Sequence, residues 1–513
     1  MTARAVVLDG QRLTAADVAA VALDGAQAVL AAEVIPRLVR ERAVVEDSID
    51  RQVPAYGMTT GLGSRSSYAL PREELAQFSV RTIRGRANAV GDPLPVPVVR
   101  AAMLARINGI AGGGSGVSPA VARLLVDLLN ARVHPVIPEV GSIGAADLCQ
   151  MAHVGQVVIG EGRAEVAGQV LDGAAALRAG GLSPARLGPK DGHVLCSASP
   201  LAAGCGALAL HEAAAVLMLA QAVTALTFEG FRANTSPLDP RVLRLRPAPG
   251  QSLAGRELLA LLAGGELTVP GHARRVQDPI SLRCAAQVHG SLHAALDFAT
   301  AALAPELNGS GDNPVVLADP SEILSSGNFH TPALALAFDT VALALTQTAA
   351  ISAQRMQRLL NPAVSGLPAN LTGYGAERSG FAPLGKTAQA LVAEIRFASA
   401  PVCTDPRYGA DVVEDDSTNA SLGARRLLSM LTRLLQLLAI EAVVAAQAVD
   451  LAAPPVLGRG PELLHGAVRG TVPHLDDDRA CGADVDQVAD QVLRSARIRQ
   501  ELSALMGREP ADE

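Results

Sequence analysis

Three long apolar segments dominate the pattern of hydrophobic and polar positions along the chain. They cover about residues 201–228, 333–359 and 427–451, and each is long enough to span a bilayer. Each nevertheless carries polar residues near its middle, among them Glu212, Asp339 and Glu441, and no clear Lys/Arg asymmetry flanks it. Alanine-rich helices that are apolar on nearly all faces are typical of the interior of a large bundle. The pattern therefore predicts a mainly α protein with a long central helical bundle and no membrane partner.

The first two hundred residues have a different pattern. A short strand is predicted near Ala5–Leu8, followed by alanine-rich helices, the first of which is capped by Thr14 with Asp17 three residues later. Glycine-rich stretches at 56–63 and 112–116 predict loops, whereas the pattern from 72 to 110 is helical. We expect two domains: a loop-rich N-terminal active-site lobe at 1–200, and the central long-helix bundle with C-terminal helices at 201–513. Long loops are predicted near 230–280 and 400–420, and a frayed acidic tail at 509–513.

Composition narrows the classes of partner. The 513 residues include 50 acidic and 43 basic side chains, a net charge of −7 that argues against nucleic acid. Aromatic residues are only 2% of the chain, so few rings could stack on bases. The six cysteines are scattered without a CxxC pair, which favours neither a zinc site nor a disulfide framework. No metal is implied. Because an acidic residue follows the first methionine too closely for a signal peptide, we expect a cytoplasmic protein.

Several short motifs occur in a fixed order between about residue 50 and residue 425. The loop from Tyr56 to Gly63 is followed by Val-Ile-Pro-Glu-Val-Gly-Ser-Ile-Gly-Ala-Ala-Asp at 136–147, where Asp147 is the predicted N-cap of a helix. The others are Gln-Asp-Pro-Ile-Ser-Leu-Arg-Cys at 277–284, Asn-Gly-Ser-Gly-Asp-Asn-Pro at 308–314, Ser-Gly-Asn-Phe-His at 326–330, Ser-Gly-Leu-Pro at 365–368 and Ser-Gly-Phe at 379–381. Together these motifs resemble those of the histidine and phenylalanine ammonia-lyases.

This resemblance implies a carbon–nitrogen lyase that acts on a small-molecule substrate, as a homotetramer whose sites combine residues of several subunits. Elimination of an amine to give an acrylate needs a base, a clamp for the carboxylate and exclusion of water. The matching residues are Tyr56 as the base, and Arg283 with Asn313 as the carboxylate binders. A planar guanidinium can hold a carboxylate with two parallel hydrogen bonds. For Arg283 the structural alternative is a salt bridge, and for Asn313 it is a turn.

Two charged residues on one predicted helix are assigned to the substrate ring. Glu394 matches a position that is Glu in histidine-specific members and Gln in phenylalanine-specific ones, which favours an imidazole substrate. Its alternative role is an ion pair with Arg396 or with another helix. Lys386 lies eight residues earlier and should project to the same side, where it would supply charge or a proton. The alternative for Lys386 is a solvated position at the helix end.

The resemblance fails at a few positions, most of them around the departing amine. The sequence Ala145-Ala146-Asp147 replaces the Ala-Ser-Gly tripeptide that the family cyclises to an electrophilic methylidene-imidazolone, so we expect this group, and any dissociable cofactor, to be absent. Ile280 replaces a Tyr beside that group, and Ser197 replaces an Asn that supports the group and the amine. At the ring end of the pocket, Arg86 replaces the His of histidine-specific members.

Three interpretations of this pattern remain open. The first, which we favour, is elimination of trimethylamine from a histidine betaine, hercynine or ergothioneine; the latter is cleaved by ergothionase, a relative of the ammonia-lyases. Trimethylammonium is already cationic and needs a roomy apolar pocket, to which Ala146 and Ile280 would contribute, while Arg86 or Lys386 would meet the thione sulfur. The second is a catalytically silent homologue that binds an amino acid or scaffolds an assembly. In the third, Ala146 stands for a modified residue in a conventional histidine or aromatic amino acid ammonia-lyase.

Overall fold

The computed structural model describes residues 5–404, 413–454 and 456–508 of the chain. The chain is mainly α, as predicted, and its strands are short. Its helices are α1 (Ala15–Ala22), α2 (Val34–Asp50), α3 (Leu75–Arg86), α4 (Val96–Gly112), α5 (Pro119–Asn130), α6 (Leu148–Val158), α7 (Gly173–Ala179), α8 (Asp191–Cys196), α9 (Pro200–Phe231), α10 (Pro240–Arg244), α11 (Gln251–Leu262), α12 (Ile280–Arg283), α13 (Ala285–Asn308), α14 (Pro332–Leu360), α15 (Pro362–Ser365), α16 (Ala382–Ala398), α17 (Ala420–Ala452), α18 (Arg459–Thr471), α19 (Cys481–Gln487) and α20 (Ala496–Leu505). Its strands are β1 (Ala5–Leu8), β2 (Gln27–Leu30), β3 (Val90–Pro93), β4 (His134–Pro135), β5 (Pro138–Val140), β6 (Arg163–Val166), β7 (Gln169–Asp172), β8 (Val315–Ala318) and β9 (Ser321–Leu324).

The three predicted apolar segments form the long helices α9, α14 and α17. All three are long and apolar enough to cross a membrane, yet 61–78% of the most apolar window of each is buried inside the chain. Their polar residues have protein partners, since Glu212 pairs with Arg499, and Glu441 pairs with Arg355. A buried charge needs such a partner, and lipid would not supply one. The helices therefore have the burial expected of a bundle interior.

Contacts divide the described chain into two units whose segments alternate along the sequence. Unit 1 takes its residues from 1–211, 299–339 and 401–426, and unit 2 takes its residues from 212–298, 340–400 and 427–513. Four of the five boundaries fall within the helices α9, α13, α14 and α17, and the fifth follows the end of α16. The predicted division into 1–200 and 201–513 stays a prediction.

Unit 1 contains the short sheets and the loops. Strands β1 and β2 pair in parallel, β3 and β5 pair antiparallel, β4, β6 and β7 form an antiparallel sheet, and β8 and β9 form a hairpin. The predicted capping box of α1 is present, because Thr14 Oγ1 accepts from Asp17 N over 3.1 Å and Asp17 Oδ2 accepts from Thr14 N over 3.1 Å. One buried cluster joins α2, the loop after it, the start of α3 and the hairpin, and its most buried members are Val45, Met58 and Val316. This cluster supports the glycine-rich loop that begins at Tyr56.

Unit 2 is built almost entirely of helices. Its centre holds a fully buried ion pair in which Arg355 Nε donates to Glu441 Oε1 over 2.6 Å and Arg355 Nη2 donates to Oε2 over 2.9 Å. Thr227 and Ser352 donate to the same carboxylate. These hydrogen bonds join α9, α14 and α17, so the polar residues within the long apolar segments specify how those helices pack.

Three local predictions need correction or fall outside the description. The helical stretch expected from 72 to 110 is interrupted by β3, where Gly91 has a φ of 94° and Pro93 and Pro95 cannot continue a helix. The loop expected near 230–280 contains α10 and α11. Part of the loop near 400–420 and the tail at 509–513 lie outside the described residues.

Candidate active site

The glycine-rich loop at 56–63 brings the phenol of Tyr56 against a buried histidine. The rings of Tyr56 and His193 meet edge to face, with centroids 5.9 Å apart and an interplanar angle of 68°. Gly57 has a φ of 63°, and a Cβ there would lie 2.5 Å from His193 Nδ1, so this approach requires glycine. The backbone N–H of Gly63 donates to Tyr56 Oη over 3.1 Å. These contacts hold the phenol oxygen in one place.

The turn that contains Ala145 and Ala146 is strained. Ala146 has a φ of 64°, a left-handed conformation that costs a residue with a Cβ roughly 1–2 kcal/mol. The side chain of Ser142 stabilises the turn, because its Oγ donates to Asp147 over 2.7 Å and accepts from Gly144 N over 3.1 Å. The backbone of Ala145 also forms a bridge with His330. Both alanines are buried, so the surrounding protein holds this conformation in place.

Asp147 caps a different helix from the one that the sequence predicted. It lies at the N-cap position of α6, but its side chain makes no capping hydrogen bond to that helix. Instead its carboxylate accepts from the backbone N–H groups of Leu201 and Ala202 over 2.9 and 3.0 Å, at the start of α9. Burial raises the pKa of Asp147, while the hydrogen bonds from Ser142, Ala202 and Leu201 act to lower it. This carboxyl group therefore ties the Ala145–Ala146 turn to the long helix α9.

A cavity of about 420 Å³ in unit 1 brings together six of the residues predicted from sequence. They are Tyr56, Arg86, Ala145, Ala146, Ser197 and Asn313. Other lining side chains include the apolar Leu62, Leu148 and Phe329. The volume suits a small amino-acid-sized molecule, and the mixture of an apolar wall with a few polar groups is typical of ligand sites.

The charged groups of this cavity include one cation and one carboxylate. Among the residues that the structure describes, none forms an ion pair with Arg86, which is half-buried. Glu414 also lines the cavity and is half-buried. Burial lowers the pKa of His193 to about 3, with further lowering by Lys190 and Arg86. His193 is therefore neutral at physiological pH and acts on Tyr56 through packing.

The position of Asn313 is fixed by a hydrogen bond of its own side chain and by an ion pair of the residue before it. Its Oδ1 accepts from the backbone N–H of Ser326 over 2.9 Å, which leaves the amide nitrogen as the group that can donate to a ligand. The preceding residue, Asp312, forms a buried two-bond pair with Arg106, with distances of 2.7 and 3.1 Å. Arg106 also donates to the carbonyl of Val194 in α8. One guanidinium thus fixes the Asn313 loop relative to the helix that carries His193.

Ser197 has a structural hydrogen bond. Its Oγ donates to the carbonyl of His193 over 2.8 Å, just after the end of α8, and the side chain is buried. The hydroxyl oxygen can still accept a hydrogen bond from a ligand. The role predicted for Ser197, support of the substrate, stays a prediction.

The other three predicted residues lie in unit 2 and do not line this cavity. Arg283 ends α12, and its Nε is buried without a hydrogen-bond partner among the described residues. Lys386 and Glu394 lie on exposed positions of α16. Glu394 forms an ion pair with Arg433 of α17 over 2.5 Å, so of the two alternatives the partner is on another helix and is not Arg396. Because buried donors are normally hydrogen-bonded, the unpaired Nε of Arg283 is consistent with a residue that binds a ligand carboxylate.

Sequence reasoning missed the two titratable lining residues Glu414 and His193. Glu414 belongs to an acidic run, Glu-Asp-Asp at 414–416, which has the composition of an ordinary exposed loop. His193 lies in a short helix with nothing in its spacing to connect it with Tyr56. Only the close approach that Gly57 permits brings His193 against Tyr56.

Similarity to known proteins extends over nearly the whole chain. Residues 13–470 match the aromatic amino acid lyase family. The chain belongs to this family. Histidine ammonia-lyases of Gloeobacter violaceus and Treponema denticola are 38% and 37% identical to it, over 98% and 97% of the chain and 98% of each relative. As an aromatic amino acid lyase, the chain is an enzyme, a carbon–nitrogen lyase that acts on a small molecule.

Solved structures of aromatic amino acid lyases and related enzymes have the same fold. One is the ergothioneine-degrading enzyme ergothionase of Treponema denticola, in complex with desmethyl-ergothioneine sulfonic acid, with a TM-score of 0.91 at 28% identity over 97% of this chain and 99% of that chain. Another is histidine ammonia-lyase of Trypanosoma cruzi, with a TM-score of 0.90 at 30% identity over 98% and 95% of the two chains.

The residues at 145–147 do not fit the methylidene-imidazolone that the family resemblance implies. Neither Ala145 nor Ala146 has a hydroxyl group to lose, and the residue after them is the buried Asp147. The nearest serine in the turn, Ser142, uses its Oγ to hold Asp147 and Gly144.

Proposed function

We propose that this aromatic amino acid lyase eliminates trimethylamine from a histidine betaine, ergothioneine or hercynine, to give an acrylate. The observation that carries the proposal is that Ala145 and Ala146, whose side chains are only methyl groups, line the same cavity as Tyr56 and Asn313. A free amine leaves poorly, so an enzyme that expels one needs to activate it. A trimethylammonium group is already cationic and departs as a neutral amine, so an unreactive wall is sufficient.

The lining of the cavity supports a quaternary ammonium ligand. Leu62, Leu148 and the two alanines are apolar lining residues, and the aromatic residues Tyr56 and Phe329 line the same space. Aromatic faces attract quaternary ammonium groups, which cannot donate hydrogen bonds. A conventional ammonia-lyase or a silent homologue would not need to accommodate a quaternary ammonium group.

In this proposal Tyr56 takes the β-proton, while Asn313 and Arg283 bind the substrate carboxylate. Arg86 and Lys386 would stabilise negative charge that develops on or near the ring as the proton leaves. Ser197, which lines the same cavity, is proposed as a substrate-binding residue near the amine. The proposal also needs a carboxylate that contacts the imidazole ring, and there are two candidates. Glu394 is the one assigned from sequence, and Glu414 is the one that lines the cavity.

The proposed assembly is a homotetramer in which another copy supplies the unit 2 residues to the cavity. Its support is the exposure, within a single chain, of α16 and of large apolar side chains around α12. Phe397, Val276 and Ile280 are 88%, 92% and 63% exposed. Apolar side chains so accessible are typical of surfaces that a subunit covers. A cytoplasmic location and the absence of a methylidene-imidazolone remain parts of the proposal.

A panel of substrates tests the choice of leaving group. Purified protein should produce an absorbing acrylate from ergothioneine or hercynine, and at least about 100-fold more slowly from histidine, tyrosine and phenylalanine, since only the betaines carry a departing group that needs no activation. Rapid turnover of histidine without turnover of either betaine would reject the proposal. Turnover of no member of the panel would favour the silent homologue.

The intact mass of the same preparation distinguishes the conventional ammonia-lyase. The mass should equal that of the encoded chain, because Ala145 and Ala146 offer nothing to dehydrate. A deficit of two water molecules would show that the electrophile forms after all.

Paired substitutions assign the ring carboxylate. Glu414→Gln should lower turnover of imidazole substrates by about 10-fold or more, because it removes charge from a group that lines the cavity. Glu394→Gln should have a comparable effect only if another copy brings α16 to the ring. The matched control is Glu322→Gln, an exposed position of β9. Unchanged kcat/KM in the Glu394 variant would remove this residue from the site, and the same result for Glu414 would remove that one.

A further inference from the structure

Unit 1 contains a second cavity, of about 390 Å³, that adjoins the candidate active site. Ala198 and Gly311 line both cavities, so these two residues separate one space from the other. The walls of the second cavity are mostly small or rigid residues, including Gly109, Gly309 and Pro305. Residues of this kind leave room that larger side chains would fill.

One carboxyl group in this cavity has no partner in the described part of the chain. Glu306 lines the cavity, and no described residue forms an ion pair or hydrogen bond with it. Burial raises the pKa of Glu306 to about 7, and no nearby cation acts against this shift. Ser310 Oγ, another lining group, is buried without a hydrogen-bond partner in the described part of the chain. The proposed reaction uses neither group.

The other ionisable side chains that line the cavity have partners. Arg106 is paired with Asp312, and His330 is paired with Asp416 over 3.3 Å. Glu306 itself lies in the last turn of α13, which ends at Asn308. The C-terminal end of a helix carries partial negative charge, which favours a cation. The charge balance of the cavity therefore suits a small cation.

We propose that this second cavity receives the amine after it leaves the substrate, with Glu306 as its counter-ion. The C–N bond breaks with both electrons going to nitrogen, and the β-proton goes to Tyr56 Oη. The neutral amine then takes the proton of the Glu306 carboxylic acid, which gives an ammonium–carboxylate pair. Departure of the ammonium leaves a carboxylate that regains a proton from water, and Tyr56 returns its own proton to water. The inference rests on the proposed function only for the identity of the amine, since ammonia would follow the same path.

Equilibrium binding without substrate tests the cavity separately from catalysis. Full-length protein is titrated by calorimetry with trimethylammonium chloride and, in a second series, with ammonium chloride. We expect saturable binding of trimethylammonium, about 10-fold or more weaker in Glu306→Gln, because the variant keeps the shape and removes the charge. Glu322→Gln, which changes an exposed carboxylate of the same unit, should bind within twofold of the unchanged protein. Stronger binding of ammonium than of trimethylammonium would assign the cavity to ammonia.

A crystal soaked with tetramethylarsonium locates the ion through the anomalous signal of arsenic. The expected peak lies between Glu306 and Ser310. Equal binding by the unchanged protein and Glu306→Gln, or a peak only in the cavity of Tyr56, would overturn the inference. Failure of the betaines to turn over, with binding at Glu306 intact, would instead count against the proposed function alone.

Discussion

Tyr56→Phe should abolish elimination while it leaves ligand binding nearly unchanged. Phenylalanine keeps the ring that packs edge to face on His193, so the loop and the shape of the cavity should persist. It lacks the oxygen that would take the β-proton. Loss of a general base typically costs about 10²–10⁴ in rate. The checks are kcat, measured from acrylate absorbance, and the Kd of the acrylate product, measured by calorimetry.

The matched control for this prediction is Tyr68→Phe. Tyr68 belongs to the same segment of unit 1 but is 67% exposed and does not line the cavity. Its substitution should leave kcat within about twofold. A Tyr56→Phe variant that retains more than about a tenth of the activity would show that another group is the base. A variant that loses product binding to the same degree as kcat would show that Tyr56 is a structural residue.

The sequence predicted those features that depend on local pattern. Long runs of apolar residues predicted the helices α9, α14 and α17, because helices of this length need little tertiary information. The predicted bounds of α9 and α14 are correct to within a few residues, whereas α17 begins seven residues before its predicted start. The motifs around Tyr56, Ala145–Ala146 and Asn313 identified residues that share one cavity. In each case the motif places a side chain on a glycine-rich or proline-containing turn, where the backbone conformation is strongly restricted by sequence.

Features that depend on contacts between distant residues could not be predicted in the same way. Asp147 lies at the N-cap position of α6, as predicted, but its side chain caps α9 instead, through a hydrogen bond to a residue 54 positions later. Glu414 lies in a run of acids whose local pattern says only that it is polar. The partner of Glu394 is on α17, and no rule of spacing on α16 indicates it. Such pairings are consequences of tertiary packing, which one sequence records only weakly.

Asp312→Asn should strongly destabilise unit 1 as well as the site. The side chains of Arg106 and Asp312 are only 2% and 1% exposed, and Lys190 lies buried close to them. Burial acts to raise the pKa of Asp312, but Arg106 and Lys190 outweigh it, so the pKa is lowered and the carboxylate stays ionised. Removing one partner of a buried pair costs about 3–5 kcal/mol, because the remaining charge is left without compensation. The expected result is a lower midpoint of denaturant unfolding, with the exposed pair Asp490–Arg494 as the control, where Asp490→Asn should change stability by less than about 1 kcal/mol.

The pH dependence of stability and a double variant distinguish the effect of the Asp312 charge from the effect of the pair on the position of the Asn313 loop. Because the folded-state pKa of Asp312 is lowered, its contribution to stability is full above the unfolded value of about 3.9 and is lost as the pH falls through the folded value. The Asp312→Asn variant should therefore lose less stability than the unchanged protein on acidification in this range. Arg106→Met combined with Asp312→Leu removes both charges and should recover much of the stability. It should not recover activity, because Arg106 would no longer join the Asn313 loop to Val194. A double variant with restored activity, or an Asp312→Asn variant as stable as Asp490→Asn, would show that the pair does not position the site.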